Sequence, residues 1–294
     1  MYKKTETILD KICAHKFLEI KKRKEDIPLS ELKEAIKKRK TLENNFFLKN
    51  ITERTLSKAT AEPKGSEVFL SDPSTIAQGP DRKISLIAEI KRSSPSNLGK
   101  PFRENFNIEE IVRIYAQGGA RAISVIVDEK FFMGSRSYLE EVARLSSLPI
   151  LYKEFVIDEY QIYEARSLGA SAILLMASIL DLEKLDQFCK LANSLGLDVL
   201  VEVHDKIELE EVLEIKPQII GVNNRDLKTL EINLENFSNL SKLIPEGIVR
   251  VCESGIYTRA DVDLVREAGA DAILVGTSLM RASDIGQAIS ELGI

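Results

Sequence analysis

From about residue 84 to the end of the chain, eight short β-rich runs alternate with amphipathic, charge-bearing stretches, and this rhythm restricts the fold more than any other feature. The runs are LIAEIKR (86–92), AISVIVD (122–128), ILYKEF (150–155), AILLMAS (172–178), DVLVEVH (198–204), IIGVNNRD (219–226), IVRVCES (248–254) and AILVGTS (272–278). Between them lie helical patterns such as DEYQIYEARSLGA, in which Tyr160, Tyr163, Ala165 and Leu168 form the expected apolar stripe and Gly169 the expected stop. A strand that returns parallel through a helix is a βαβ unit, and eight in succession predict an α/β fold, the closed (β/α)8 TIM barrel. The phrases GARAISV, GASAILL and GADAILV, beginning at Gly119, Gly169 and Gly269, add an internal echo at spacings that fit a repeated two-unit block. Gly-Ala also recurs at such loops in doubly wound sheets, so the number of strands decides between the two.

Residues 1–83 read differently and are expected to form a helical extension and an irregular segment packed on a catalytic barrel of residues 84–294. Residues 5–24 predict a helix with Ile8, Leu9, Ile12, Phe17 and Ile20 toward one side, and Ser30 is placed to cap a second helix beginning ELKEAIKKRK. Residues 50–83 contain EPKGSE, SDPST and QGPDRK and predict irregular chain. The run KKRKEDIP carries Glu25 and Asp26 among its cations and reads as a solvated helix face rather than a nucleic-acid patch.

With 46 acidic and 41 basic residues and a net charge of -5, the chain has no excess of either sign to hold a polyanion, so neither nucleic acid nor an anionic membrane is an expected partner. The three cysteines, Cys13, Cys189 and Cys252, are far apart, and only two histidines accompany them. Neither a disulfide framework nor a metal site is expected. No apolar run reaches the roughly 20 residues that span a bilayer, and MYKKTETILDK lacks a signal-peptide core, so the expected location is the cytoplasm. There the Asn50-Ile-Thr sequon counts as chance.

In a barrel of this kind the reaction takes place at the carboxyl ends of the strands. Side chains alternate between the faces of a strand, which puts Glu89 and Lys91 together on one face of the first run. By the same phase Lys153 shares a face with Leu151 and Phe155, leaving Tyr152 and Glu154 toward the helices. The fifth run offers Glu202 and His204, the sixth Asn223 and Arg225, and the seventh Glu253 followed by Ser254 and Gly255. One buried ion pair is as readily structural as catalytic. Carboxylates and ammonium groups gathered from three odd-numbered strands at matched depth mark a functional site, because desolvating them is costly. CESGIYTRADV and LVGTSLM supply Ser254, Gly255, Gly276 and Thr277, which suit a phosphate held by backbone N–H groups. Beside Lys91 they imply a small phosphorylated ligand.

In chain order, EIKRSSPS, FFMGS, LYKEFVIDEYQIYEARSLGA, LVEVHD, GVNNRDLKTLEIN, CESGI and LVGTSLM resemble the indole-3-glycerol phosphate synthases of tryptophan biosynthesis, over about Leu86 to Met280. ILDKICAHKFLEIKKRKEDIPLSELK is similar to that family's additional helices, whereas the stretch from Phe47 to Ile84 is longer and less family-like. The resemblance implies conversion of 1-(2-carboxyphenylamino)-1-deoxyribulose 5-phosphate to indole-3-glycerol phosphate, carbon dioxide and water without a cofactor or metal. It gives Lys153 the role of proton donor and Glu202 that of proton transfer in the later steps. Lys91 binds the substrate's anionic groups or acts as a second acid, Glu89 and Glu253 orient the lysines, and Asn223 and Arg225 bind near the ring and its carboxylate. Ser94 and Pro95, with Gly99 beyond them, fall in a loop that resembles the family's mobile lid. Phe132, Phe155, Leu174, Leu227 and Ile256 correspond to the wall against the aryl ring. Phe155 and a nearby Lys91 are expected to disfavour the charged form of Lys153. His204 is expected to be a satisfied structural histidine.

Three other readings fit a phosphate-binding barrel. Phosphoribosylanthranilate isomerase needs a cysteine and an aspartate where the first and fifth runs here present EIK and VEVH, which disfavours it, and the tryptophan synthase α subunit is a further rival. A noncatalytic ligand-binding barrel has less use for two lysines and Glu202. The chain ends soon after the eighth helical pattern, and no fused second enzyme is expected within it.

Overall fold

The computed structural model describes residues 2–39, 46–52, 83–97 and 99–294. Strands β1 (Ser85–Ile90), β2 (Ala122–Ile126), β3 (Ile150–Lys153), β4 (Ala172–Met176), β5 (Asp198–Val203), β6 (Ile219–Asn223), β7 (Val249–Glu253) and β8 (Ala272–Val275) pair in sequence order into a closed barrel. Every pairing is parallel, and β8 closes on β1 through Ser85 opposite Ala272 and Ala88 opposite Val275. Helices α1 (Ile8–Asp26), α2 (Leu29–Lys38) and α3 (Phe46–Thr52) precede β1, and α4 (Ile108–Gln117) connects it to β2. The later crossovers contain α5 (Glu129–Phe132) with α6 (Arg136–Leu145), α7 (Glu159–Leu168), α8 (Leu182–Ser194), α9 (Lys206–Leu213), α10 (Glu235–Leu240) and α11 (Arg259–Glu267). After β8 come α12 (Thr277–Arg281) and α13 (Ile285–Glu291). None of the described helices is long and apolar enough to cross a membrane.

The strands end earlier than the apolar runs suggest, and the residues left over form the mouth. Lys91 lies one residue beyond β1 and Phe155 two beyond β3, past the last paired residues of those strands. Side-chain contacts hold these free ends. The Tyr115 hydroxyl of α4 donates to the Glu89 carbonyl at 2.8 Å, and Gln161 of α7 donates to the Phe155 carbonyl at 2.9 Å.

The extension departs from its predicted pattern in three places. Leu9, Ile12, Cys13, Lys16, Ile20 and Arg23 form the buried stripe of α1, a spacing of three and four that leaves Phe17 off the stripe and 63 % exposed. Lys16, on the same stripe, has its ammonium wholly buried, 2.9 Å from Glu154, 3.0 Å from Asp128 and 2.8 Å from Glu19. Arg23, inside the run read as a solvated face, is likewise buried and pairs with Glu164 at 2.9 Å. Ser30 caps nothing: α2 starts at Leu29 behind Pro28, whose carbonyl accepts the Glu31 N–H at 2.9 Å.

Smaller differences follow from how α2 and α3 pack. On α7 the buried residues include Tyr160 and Ala165 from the predicted stripe, while Tyr163 and Leu168 are only half-buried, with the Lys33 ammonium 5.0 Å from the Tyr163 ring. Residues 50–52, expected to be irregular, complete α3, which Asp198 at the start of β5 caps by accepting the Phe47 and Leu48 N–H groups. The EPKGSE and SDPST segments, and QGPDRK up to Arg82, lie outside the described residues.

The Lys16 cluster binds α1 to the outer face of β3. Burial pushes the Glu154 carboxyl up to about 7 despite the ammonium beside it. For Lys16 burial works toward a lower value, and Glu154, Asp128 and Glu19 outweigh it, holding the group above the ordinary lysine range. Removing the cation would leave two buried carboxylates without their partner. Lys16→Ala should lower stability by about 3–5 kcal/mol, a range typical of a broken buried pair, as read from urea unfolding at pH 8.

Candidate active site

Three strands bring their charges to one point at the carboxyl end of the barrel. Lys153, the last residue of β3, reaches across the lumen between two carboxylates: Glu202 of β5, whose Oε2 is 3.2 Å from Nζ, and Glu253 of β7, in direct contact. The lysine side chain is 15 % exposed and each carboxylate only 2 %, so the pair of anions is the lysine's main substitute for water. The Asn223 amide donates to the other oxygen of Glu202 at 3.2 Å. On the opposite side Lys91 pairs with Glu89 at 2.8 Å and lies 5.9 Å from the Phe102 ring.

Two absent side chains make room for these carboxylates. Gly221, opposite Glu202 in the β5–β6 register, occupies a place where any Cβ would collide with Oε1 of Glu253. Gly276 does the same for Glu89. The sequence reading took Gly276 only as a phosphate residue and passed over Gly221, because side-chain patterns carry no signal for empty volume. The sole hint for Gly221 was a glycine inside an otherwise β-branched run.

Lys153 titrates opposite to expectation. Burial does work toward a lower value, but Glu253 and Glu202 outweigh it and hold the ammonium above the ordinary lysine range. The neighbours that decide are the two anions, not Phe155 and Lys91. The carboxylates themselves diverge: burial and the charge of Glu202 push Glu253 up to about 7 against the pull of Lys153. Glu202, equally buried, is drawn well below the ordinary range by Lys153, His204 and Asn223.

All the residues selected from the sequence for catalysis or substrate binding line a single cavity: Glu89, Lys91, Lys153, Glu202, Asn223, Glu253, Ser94, Pro95, Phe132, Phe155, Leu174, Arg225, Leu227, Ser254, Gly255, Ile256, Gly276 and Thr277. Phe132 and Phe155 meet with ring centroids 6.0 Å apart. The loops after β1 and β2 are tied by the Ser93 N–H donating to the Phe132 carbonyl at 3.0 Å, and those after β7 and β8 by the Ser278 hydroxyl donating to the Ile256 carbonyl at 2.9 Å. Arg225 spends one N–H on the Leu230 carbonyl at 2.8 Å.

Other contributors were not selected. Ile8, Leu9 and Ile12 of α1 also line the cavity, so part of its apolar wall comes from outside the barrel. Their stripe was visible, but its destination was not. Asn224 turns away from the lumen and donates to the carbonyls of Glu253 at 2.9 Å and Ser254 at 3.0 Å. It thereby holds Ser254 at φ 64, a left-handed conformation uncommon outside glycine. The doubled asparagine of GVNNRD was the available signal.

The profile of the family described as indole-3-glycerol phosphate synthase matches residues 60–292. The chain belongs to the indole-3-glycerol phosphate synthase family. A member from Polynucleobacter asymbioticus is 45% identical over 228 residues, covering 76% of this chain and 85% of the relative. One from Alkaliphilus metalliredigens is 37% identical over 285 residues, 97% of each chain. Among solved structures, 3-hexulose-6-phosphate synthase from Salmonella typhimurium superposes with a TM-score of 0.58 at 12% identity, covering 71% of this chain and 96% of its own. Thiamine phosphate pyrophosphorylase from Pyrococcus furiosus gives 0.52 at 18%, with 71% and 94% covered. These two likenesses are of fold.

The room at Gly221 yields a direct test of the charge arrangement in this family member. Gly221→Ala should displace Glu253 from Lys153 and lower kcat by about 10–100-fold, the scale expected for a displacement near 1 Å, with a smaller change in KM. Steady-state kinetics alongside circular dichroism would separate this from loss of fold.

Proposed function

We propose that the cavity performs the indole-3-glycerol phosphate synthase reaction on 1-(2-carboxyphenylamino)-1-deoxyribulose 5-phosphate, a small soluble substrate met in the cytoplasm. The observation that carries this reading is Lys153 held between Glu202 and Glu253 beneath a wall of apolar and aromatic side chains. An acid, a base and an aryl pocket meet there.

Ring closure joins the carboxylate-bearing ring carbon to the ribulose carbonyl carbon, and the carbonyl oxygen gathers negative charge. Lys153 donates to that oxygen. An ammonium whose proton is secured by two anions remains protonated at neutral pH and gives up the proton only to a stronger base, such as the developing alkoxide. Breaking the bond to the carboxyl group releases carbon dioxide and returns its electron pair to the ring. The new hydroxyl then leaves as water with a proton from a lysine, while Glu202 takes the proton from the adjacent carbon to complete the indole.

The remaining residues bind. Phe132, Phe155, Leu174, Leu227 and Ile256 enclose the aryl ring, and Asn223 and Arg225 contact its polar edge and carboxylate. Ser254, Gly255, Gly276 and Thr277 offer backbone N–H groups to the phosphate, while Lys91 supplies charge to the substrate's anions or a second proton. Ser94 and Pro95 cover the cavity from the loop after β1. Every step is a proton transfer or a bond rearrangement without net redox change, so the side chains present suffice.

Lys153→Ala should lower kcat by about 10²–10⁴-fold, the usual worth of a positioned proton donor, and leave substrate affinity largely intact. Indole fluorescence on adding the substrate to purified protein measures turnover, and titration calorimetry measures binding. Near-normal turnover in the folded variant would remove Lys153 from the role of acid. No fluorescence rise in the parent protein, with binding retained, would favour a noncatalytic barrel.

A further inference from the structure

His204 ends the inward-facing series of β5, yet it does not line the cavity. Its ring instead stands between two carboxylates. Nε2 is 3.2 Å from Oε1 of Glu202, at ion-pair distance though off the alignment of a full hydrogen bond, and Nδ1 is 3.2 Å from Oε2 of Glu208 on α9. The same Glu208 oxygen accepts the His204 backbone N–H at 2.7 Å, and Asn236 of α10 donates to the His204 carbonyl at 3.0 Å. The side chain is 10 % exposed and is anchored at both ends.

The arrangement favours a charged ring. A neutral imidazole has one N–H, so between two carboxylates it would turn a lone pair toward one of them, whereas an imidazolium donates toward both. The groups that face the ring are Glu202 from its own strand and Glu208 from α9. Asn223 of β6 reaches Glu202 rather than the imidazole, and Lys153 of β3 holds the other Glu202 oxygen. Burial alone favours the neutral ring, but the two anions raise its titration to about 10.

Glu202 therefore has two cationic neighbours, of which only Lys153 faces the reaction. If Lys153 passes its proton to the substrate, the remaining cation beside Glu202 is the imidazolium. We propose that His204, held by Glu208, is a positioning residue that keeps Glu202 oriented and ionised, so that it can act as base after Lys153 has given up its proton. This rests on the assignment of Glu202 as that base. His204 touches no substrate, and its effect is exerted through Glu202.

The test compares His204→Gln and Glu208→Gln with the parent protein. Glu202 works in its ionised form, so activity falls on the acid side as it takes a proton. Removing a neighbouring cation raises the pH at which this happens, and the limb of the kcat profile owed to Glu202, which lies on the acid side of the Glu253 step at about 7, should move upward by about one to two pH units in His204→Gln. The shift should be smaller but in the same direction in Glu208→Gln, with KM changed less than about 3-fold in both, because uniform binding is untouched. A merely structural histidine would lower melting temperature without moving that limb. The chain contains two histidines, so ¹⁵N spectra of the imidazoles at pH 8, with His15→Asn for assignment, read the ring directly. Protonation of both His204 nitrogens is expected.

A neutral His204 at pH 8, or acid limbs that coincide with the parent in the variants that fold, would overturn the inference. Should His204→Gln fail to fold, Glu208→Gln, altered on a surface helix, decides alone. Glu202→Gln separates the two readings. Loss of turnover there with unmoved acid limbs in the other variants removes only the role of His204, whereas retained turnover removes the assignment of Glu202 itself.

Discussion

A lysine ammonium enclosed by a barrel needs anions to replace the water it has lost, and the organisation of this molecule follows from where those anions stand. Lys153 has Glu202 and Glu253 against it, contributed by β5 and β7 from across the lumen. Each carboxylate in turn needs its own support. Glu202 has Asn223 and His204, and Glu253 has the volume that Gly221 leaves open. The resulting charges are fixed before substrate arrives, which is the condition under which electrostatic stabilisation of a transition state costs least reorganisation.

The support extends through the sheet. Strand alternation sends Lys153 inward and Glu154 outward, and Glu154 meets the buried ammonium of Lys16 on α1. Asp128, which joins the same ammonium, also caps α5 by accepting the Phe131 and Phe132 N–H groups at 2.7 and 3.2 Å. One cation outside the barrel thus steadies both the strand end that carries Lys153 and the short helix that carries Phe132. Burial of such a cluster gives no great stability in itself, but it leaves few alternative positions for the groups it joins.

Much of this was legible in the sequence because period-two alternation is a strong signal. It put Glu89 with Lys91, and it separated Lys153 from Glu154, without reference to any structure. What escaped was of three kinds. Lys16 was passed over because a charge within an apolar stripe carries no sign of burial until its partner is known, and Glu154 is 138 residues away. Gly221 matters for the atoms it lacks. Glu208 stands four residues after His204, a spacing that on any exposed helix denotes a minor ion pair, and only the bend from β5 into α9 turns it onto the ring. The fold was thus written in patterns of side chains, whereas the details of the site depended on distances that the chain closes only when folded.

The alternation of Lys153 and Glu154 has a consequence for how the barrel finds its pairing. Shifting a strand by one residue exchanges its two faces. For β3 this would place Glu154 among Glu202 and Glu253, three anions with no ammonium between them, and turn Lys153 outward against Lys16 and Arg23. An apolar strand misaligned in this way would lose some packing and persist as a trap. Here the wrong alignment gathers like charges at both surfaces of the sheet at once, so the residues that prepare the site for chemistry also proofread the assembly of the barrel around it.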